Sequence, residues 1–184
     1  ELEMARVIQK RLMPQEIPQV EGLDVHGESR PCFEVAGDYF DILDVGEGNT
    51  AMVIADVSGK GAGAAMIMAN LQASIRVGID IMDKTEFSNF INTINNHIYK
   101  NTSSSEFITF FMGIWNPKTK ILYYINAGHN PPVVLNKENN ITTLDATGLI
   151  LGILPDQKYE ISSVNIDDCS VLAIYTDGLE EALS

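Results

Sequence analysis

Aspartate sits beside glycine, where a hydrophobic segment begins or ends, in three stretches: Gly37-Asp38-Tyr39, Asp56-Val57-Ser58-Gly59-Lys60-Gly61 and Thr176-Asp177-Gly178. A fold that gathers strand ends projects such carboxylates into one crevice, and oxygen ligands of this hardness suit magnesium or manganese rather than zinc. The chemistry open to that set is hydrolysis at a divalent-metal centre. Asp56 alone has a plainer explanation as a helix N-terminal cap or dipole partner, a role in which Asp contributes about 0.3 to 1 kcal/mol. Capping does not account for Asp38 and Asp177 in matching contexts. Carboxylates gathered within about 4 Å repel by about 4 kcal/mol at an effective dielectric near 20 unless a cation lies among them.

Other motifs admit more than one reading. Gly59-Lys60-Gly61-Ala62-Gly63-Ala64 follows a strand-like run and opens a helix, which is also a degenerate dinucleotide fingerprint, with Asp80 or Asp83 near the ribose-binding spacing. Against this, Asp56 would lie close to a bound pyrophosphate, and no Lys-Ser/Thr pair completes a P-loop. In Asn126-Ala127-Gly128-His129-Asn130-Pro131-Pro132, His129 either donates a proton or touches phosphate, or is held by its neighbours to shape the turn. His26 and His97 have no such companions and read as structural. Gly148-Leu149-Ile150-Leu151-Gly152 reads as a packed loop bordering the cleft, and Glu180-Glu181 as a solvated face.

The elements that must position these residues follow from hydrophobic spacing. Leu2, Ala5, Ile8 and Leu12 form one helical stripe that Pro14 ends. Residues 23–29 and 35–43 read as strands, and 51–55 as a strand reached through the turn Gly46-Glu47-Gly48-Asn49. Ala64, Ile67, Met68, Leu71, Ile75, Ile79 and Met82 predict a long buried helix over 61–82, and Phe87, Phe90, Ile91, Ile94 and Ile98 a second one. Runs 107–115 and 121–126 form a hairpin around Asn116-Pro117-Lys118-Thr119. Segments 132–135, 141–144, 159–164 and 171–175 add short strands. Hairpins, then two helices, then more hairpins describe an α+β sandwich and not a parallel βαβ sheet.

At 184 residues, 45% hydrophobic and 20% charged, the chain suits one domain with a sizeable core. Its net charge of −13 disfavours nucleic acid and anionic membrane surfaces, where basic patches supply the affinity. Cys32 and Cys169 stand alone, without CxxC or His-ligand spacing, and are expected to be buried free thiols. No run reaches the roughly 18 apolar residues of a membrane span. A cytoplasmic fragment of a longer protein is expected.

Taken in order, Ala5-Arg6-Val7-Ile8-Gln9 to Leu12-Met13-Pro14, Arg30-Pro31, Val35-Ala36-Gly37-Asp38-Tyr39-Phe40-Asp41, Asp56-Val57-Ser58-Gly59-Lys60-Gly61, Phe107-Ile108-Thr109, Asn126 to Pro132 and Tyr175-Thr176-Asp177-Gly178 cover nearly the whole chain. Together these segments resemble the SpoIIE-like branch, including the RsbU type, of the metal-dependent PPM protein serine/threonine phosphatases. The resemblance implies an αββα sandwich of two antiparallel sheets flanked by helices, with two Mn²⁺ or Mg²⁺ in the cleft between the sheets. It makes Asp56 the bridging carboxylate, gives one metal the backbone carbonyl of Val57 and the other Asp177, and has Asp38 contribute directly or through water. A metal-bound hydroxide would then attack phosphorus in line.

The resemblance divides the chain into a linker or signalling helix over 1–14 and a phosphatase domain over 15–184. It further implies that the family domain runs on past Ser184 to supply another acidic ligand, leaving this fragment C-terminally incomplete. Arg30 lies near the position from which relatives contact phosphate. Ser58 and Lys60 stand where eukaryotic relatives carry a histidine, so the leaving-group acid has no assignment. The implied substrate is a phosphorylated anti-sigma-factor antagonist of the STAS type in bacterial partner switching. An upstream sensor domain would act through the first helix, which also permits a homodimer. Two rivals stand beside this reading: a non-catalytic phosphoprotein-binding module and a dinucleotide-binding domain.

Overall fold

The computed structural model describes residues 2–30, 34–80, 82, 86–167 and 170–181. The chain begins with α1 (Leu2–Leu12), then β1 (Tyr39–Asp44), β2 (Thr50–Val57), α2 (Ala62–Ile79), α3 (Phe87–Asn101), β3 (Ile108–Asn116) and β4 (Ile121–Ala127). It continues with β5 (Val133–Leu135), β6 (Ile141–Thr143), β7 (Ser162–Asn165), β8 (Val171–Ala173) and the short α4 (Gly178–Glu181). A five-stranded sheet in the order β1-β2-β3-β4-β7 faces a three-stranded sheet in the order β6-β5-β8. Every ladder is antiparallel.

Alternation along the strands of the large sheet separates two cores. Tyr39, Ala51, Val53, Ala55, Val57, Ile108, Phe110, Met112 and Ile125 turn one face to Ala64, Met68, Leu71, Ile75 and Ile79 of α2 and to Phe87, Ile91, Ile94 and Ile98 of α3. The opposite face sends Met52, Phe111, Trp115, Leu122 and Tyr124 toward Val134, Leu144 and Ile166. Each fully buried Leu, Ile or Phe contributes about 1.5 to 3 kcal/mol, so the helix-side core dominates the fold. Gly78 lets the two helices close, since a Cβ there would lie 2.5 Å from the Phe90 ring. The fold is the expected α+β sandwich, with α2 and α3 outside the large sheet. Among the described residues, no helix makes an extensive contact with the small sheet.

Most expected elements are present within a few residues, and some expectations need correction. Residues 24–30 form no strand; an isolated bridge between Val20 and Leu23 is the nearest pairing. The strand expected over 35–43 starts only at Tyr39. The dinucleotide reading loses its scaffold, because β2 and β3 pair antiparallel across α2 and α3 and no parallel βαβ unit exists there. In α1, Ile8 of the apolar stripe is 55% exposed, and the residue turned inward is Gln9. Cys32 and Cys169 lie outside the described residues.

One charge is built into the helix side. Asp41, 1% exposed, accepts two hydrogen bonds from Arg76 of α2, Nε to Oδ2 at 2.8 Å and Nη2 to Oδ1 at 3.0 Å, and a third from the Tyr39 hydroxyl at 2.7 Å. Burial, and then the Asp41 charge, push the Tyr39 phenol above its ordinary range, so it stays a donor. Removing one partner of a buried pair strands the other. Arg76→Ala should therefore lower the urea unfolding free energy by about 3 kcal/mol, the low end for such pairs because Arg76 is half-exposed. Arg76→Met with Asp41→Leu should recover most of it. A loss below about 0.5 kcal/mol in the single variant would show that solvent already serves Asp41.

Candidate metal centre and cleft

The strand alternation that buries Tyr39 and Ala55 among the helices sends their neighbours Asp38 and Asp56 to the opposite face. The β1–β2 register pairs Tyr39 with Ala55, and the same ladder carried one residue further sets Asp38 across from Asp56. Asp56 is in turn paired with Thr109 on β3. Asp38 and Asp56 lie close enough for each carboxyl group to feel the other. Asp38 is held above the usual carboxylate range, chiefly by burial and further by the charge of Asp177, while its interactions with Asp56 and Thr176 oppose the rise. The Thr176 hydroxyl donates to Asp38 Oδ2 at 3.1 Å.

Backbone geometry completes the surroundings of this pair. A Cβ at Gly37 would stand 2.8 Å from the Val57 carbonyl oxygen, so only glycine lets the Asp38 segment lie against that carbonyl. Ser58 fastens the end of β2 to the start of β3: its amide donates to the Phe107 carbonyl and its hydroxyl accepts from the Phe107 amide, both at 2.9 Å. Gly59 and Gly61 take φ of +91° and +73°, left-handed conformations that favour glycine and turn the chain sharply into α2.

Asp177 is exposed at the start of α4, near enough for its charge to act on Asp38 and His129. Among the described residues, no three His, Cys, Asp or Glu side chains are gathered as tightly as a metal ion requires. The donor set is thus a tight pair with a satellite carboxylate. Its chemistry fits a hard divalent cation: two carboxylates that otherwise need a shared proton, and a backbone carbonyl close to one of them. All of these groups line one cleft of about 1690 Å³ between the sheets, which also takes in Arg30, Lys60, Thr109 and Thr176.

The two residues assigned to phosphate fare differently. Arg30 reaches the cleft rim with its side chain 84% exposed, its Nε 2.8 Å from Glu28 Oε1. His129 is 3% exposed, does not line the cleft, and has both ring nitrogens engaged. Its Nδ1 lies 2.8 Å from Thr109 Oγ1 and its Nε2 3.1 Å from the Tyr175 carbonyl oxygen. A carbonyl only accepts, so Nε2 carries the proton and Nδ1 accepts from Thr109. Contact with substrate phosphate is closed to a ring in that position. The buried Asn126 holds the turn around it, accepting from the His129 amide at 2.8 Å and donating to the His129 and Leu144 carbonyls at 3.2 and 2.9 Å.

Thr176 and Gln9 had no assigned part in the sequence reading. The Gln9 amide group brackets the Ala36 backbone, donating to its carbonyl at 2.7 Å and accepting from its amide at 2.9 Å, two residues from Asp38. The available signal was a polar residue inside a helix otherwise expected to bury apolar ones.

With this geometry in view, comparison with known proteins is decisive at the level of family. The family described as Stage II sporulation protein E (SpoIIE) matches residues 46–184. The chain belongs to the SpoIIE family. Protein IcfG of Synechocystis sp. is 31% identical, over 100% of this chain and 33% of its own length. Phosphoserine phosphatase RsbU of Bacillus subtilis is 31% identical, over 98% of this chain and 53% of its own length. This SpoIIE-family chain therefore spans between a third and about half of those relatives. A solved structure of the PP2C phosphatase domain and a fragment of the regulatory domain of SpoIIE from Bacillus subtilis superimposes with a TM-score of 0.69 at 21% identity, covering 80% of this chain and 43% of that one. That likeness establishes the fold. Among the described residues, no helix is long and apolar enough to cross a membrane.

Burial lowers His129 from its ordinary value to about 4, against smaller upward pulls from the Tyr175 carbonyl and Asp177. The unfolded chain, with an ordinary histidine near 6.5, binds that proton more readily. The resulting stability is full above about pH 6.5 and disappears as the pH falls toward 4. Between pH 7 and 5 the wild type should lose about 2 kcal/mol more unfolding free energy than His129→Gln in urea titrations. Parallel losses in the two proteins would show that His129 is not held neutral.

Proposed function

We propose that this chain is the catalytic domain of a divalent-metal-dependent protein phosphatase that removes phosphate from serine or threonine of a protein substrate. The observation that carries the reading is the Asp38–Asp56 pair, two neighbouring carboxyl groups, one just before β1 and one near the end of β2, that line a single open cleft together with the Val57 carbonyl and Asp177. Kinship with a relative named as a phosphoserine phosphatase supplies the substrate class. Asp56, the Val57 carbonyl, Asp177 and Asp38 would hold two Mn²⁺ or Mg²⁺. When bound, such cations neutralise charge building on phosphoryl oxygens and lower the pKa of water so that it can attack phosphorus.

The chain's own residues do the rest. β2, locked between β1 and β3, fixes the direction of Asp56. Arg30 would exchange Glu28 for a phosphate oxygen, a swap that its exposure makes inexpensive. We take the protein substrate to be a STAS-type anti-sigma-factor antagonist, and the upstream sensor domain to act through α1. Met4, Val7 and Ile8 are exposed on α1 and offer a face for a homodimer.

A second reading, a phosphoprotein-binding module without catalysis, has one observation in its favour: no third acidic side chain joins the Asp38–Asp56 pair among the described residues. One experiment separates the two. In the intact protein, Mn²⁺-dependent phosphate release from a phosphoserine STAS-type substrate should fall about a hundredfold or more in Asp56→Asn. Release that survives both that substitution and chelation of metal would overturn the metal-dependent reading. Stable binding of the phosphoprotein with no release by the wild type would favour the module.

A further inference from the structure

We infer that His129 is a positioning residue: a strut, together with Thr109, that holds the Asp177-bearing turn that follows the small sheet against the Asp56-bearing strands of the large one. The inference rests on the reading of Asp38, Asp56 and Asp177 as a metal centre, and it concerns how that centre is assembled.

The contacts trace a closed ring. Asp38 lies beside Asp56, next to the Tyr39–Ala55 pair that ends the β1–β2 ladder. Asp56 lies opposite Thr109 in the β2–β3 ladder. The Thr109 hydroxyl meets His129 Nδ1 at 2.8 Å, and His129 Nε2 meets the Tyr175 carbonyl at 3.1 Å. The next residue, Thr176, returns to Asp38 at 3.1 Å. Asp177 follows immediately, so its position is set from both sides of the cleft. Its own element offers little support: β8 has three residues, and α4 four. The ring of His129 is the part of this circuit that spans from one sheet to the other through buried space, and its own turn is fixed by Asn126. A side chain that orients a ligand from behind typically changes metal affinity by about ten- to a hundredfold when lost.

The test uses the intact protein and Mn²⁺ alone as the probe, with free Mn²⁺ followed by electron paramagnetic resonance and amide hydrogen exchange followed at residues 174–179. His129→Phe keeps the volume and removes both hydrogen bonds; it should weaken Mn²⁺ binding about tenfold or more and speed exchange at 174–179. Thr109→Val, nearly isosteric and therefore informative even if His129→Phe folds poorly, should shift both readouts in the same direction. His129→Gln, whose amide can still donate toward the Tyr175 carbonyl, should regain most of the affinity. Mn²⁺ binding within twofold of wild type in Thr109→Val and His129→Phe, with exchange unchanged, would overturn the strut and leave the metal centre standing. Failure of the wild type itself to bind Mn²⁺ would overturn the metal reading and the strut with it. Neither readout depends on phosphate release, so a failure of the phosphatase assignment registers separately.

Discussion

Two carboxyl groups brought side by side where the β1–β2 ladder ends are the constraint around which the remainder of this structure is arranged. Left ionised and near each other, Asp38 and Asp56 would repel by several kcal/mol at any dielectric appropriate to a half-buried site. The Tyr39–Ala55 pair beside them keeps the two backbones together, so turning the side chains relieves only part of that repulsion. The pair therefore requires a positive charge, either a shared proton or a cation. The opposite face of the same strands is packed against α2 and α3, and that apolar core is large enough to hold the ladder closed against the repulsion.

Much of this was legible because β and α periodicities are strong where a segment buries only one side. The buried faces of α2 and α3, the two long hairpins and the strand-end aspartates all follow from spacing. The exceptions have physical reasons. Residues 23–29 carry strand-like composition, but a strand needs a partner, and beyond the isolated Val20–Leu23 bridge the described chain provides none beside them. Gln9 carried no signal in the spacing, because its part is set by the Ala36 backbone, which needs a donor and an acceptor together, and an amide side chain meets that need where an apolar one does not. His129 was ambiguous because a buried histidine and a catalytic one share every sequence feature; they differ in which groups face the two ring nitrogens. Thr109 is a small polar residue in an otherwise apolar strand, Thr176 lies in the connection between β8 and α4, and their part emerges only when two distant segments meet.

The Gln9 contact gives the N-terminal helix a physical route to the site. α1 packs on α2, and the Gln72 amide also donates to the Leu12 carbonyl at 3.2 Å, so helix and domain are joined at both ends of the last turns of α1. A shift of α1 along its axis by a fraction of a turn would break the Ala36 bracket before it disturbed the apolar core, since hydrogen bonds fail over tenths of an ångström and packed surfaces slide. The segment freed by such a shift is the one carrying Gly37 and Asp38. Coupling of this kind needs no long pathway: one side chain separates the helix from the residue before the aspartate pair.

The weakest part of the assembly lies on the other side of the cleft. Asp177 is reached through a three-residue strand and is tied to the large sheet by the His129 and Thr176 hydrogen bonds. Each such bond contributes about 1 kcal/mol net, whereas drawing a third carboxylate to within about 4 Å of an ionised pair costs about 4 kcal/mol for each charge it approaches at an effective dielectric near 20. The ties can aim Asp177 but cannot hold it against the pair, and the observed arrangement of a tight pair with a satellite is what that inequality dictates. A divalent cation reverses the sign of the term, turning the approach of Asp177 from opposed to favoured. Closure of the site is thus governed by electrostatics at the centre, while the strut decides only the direction from which the third carboxylate arrives.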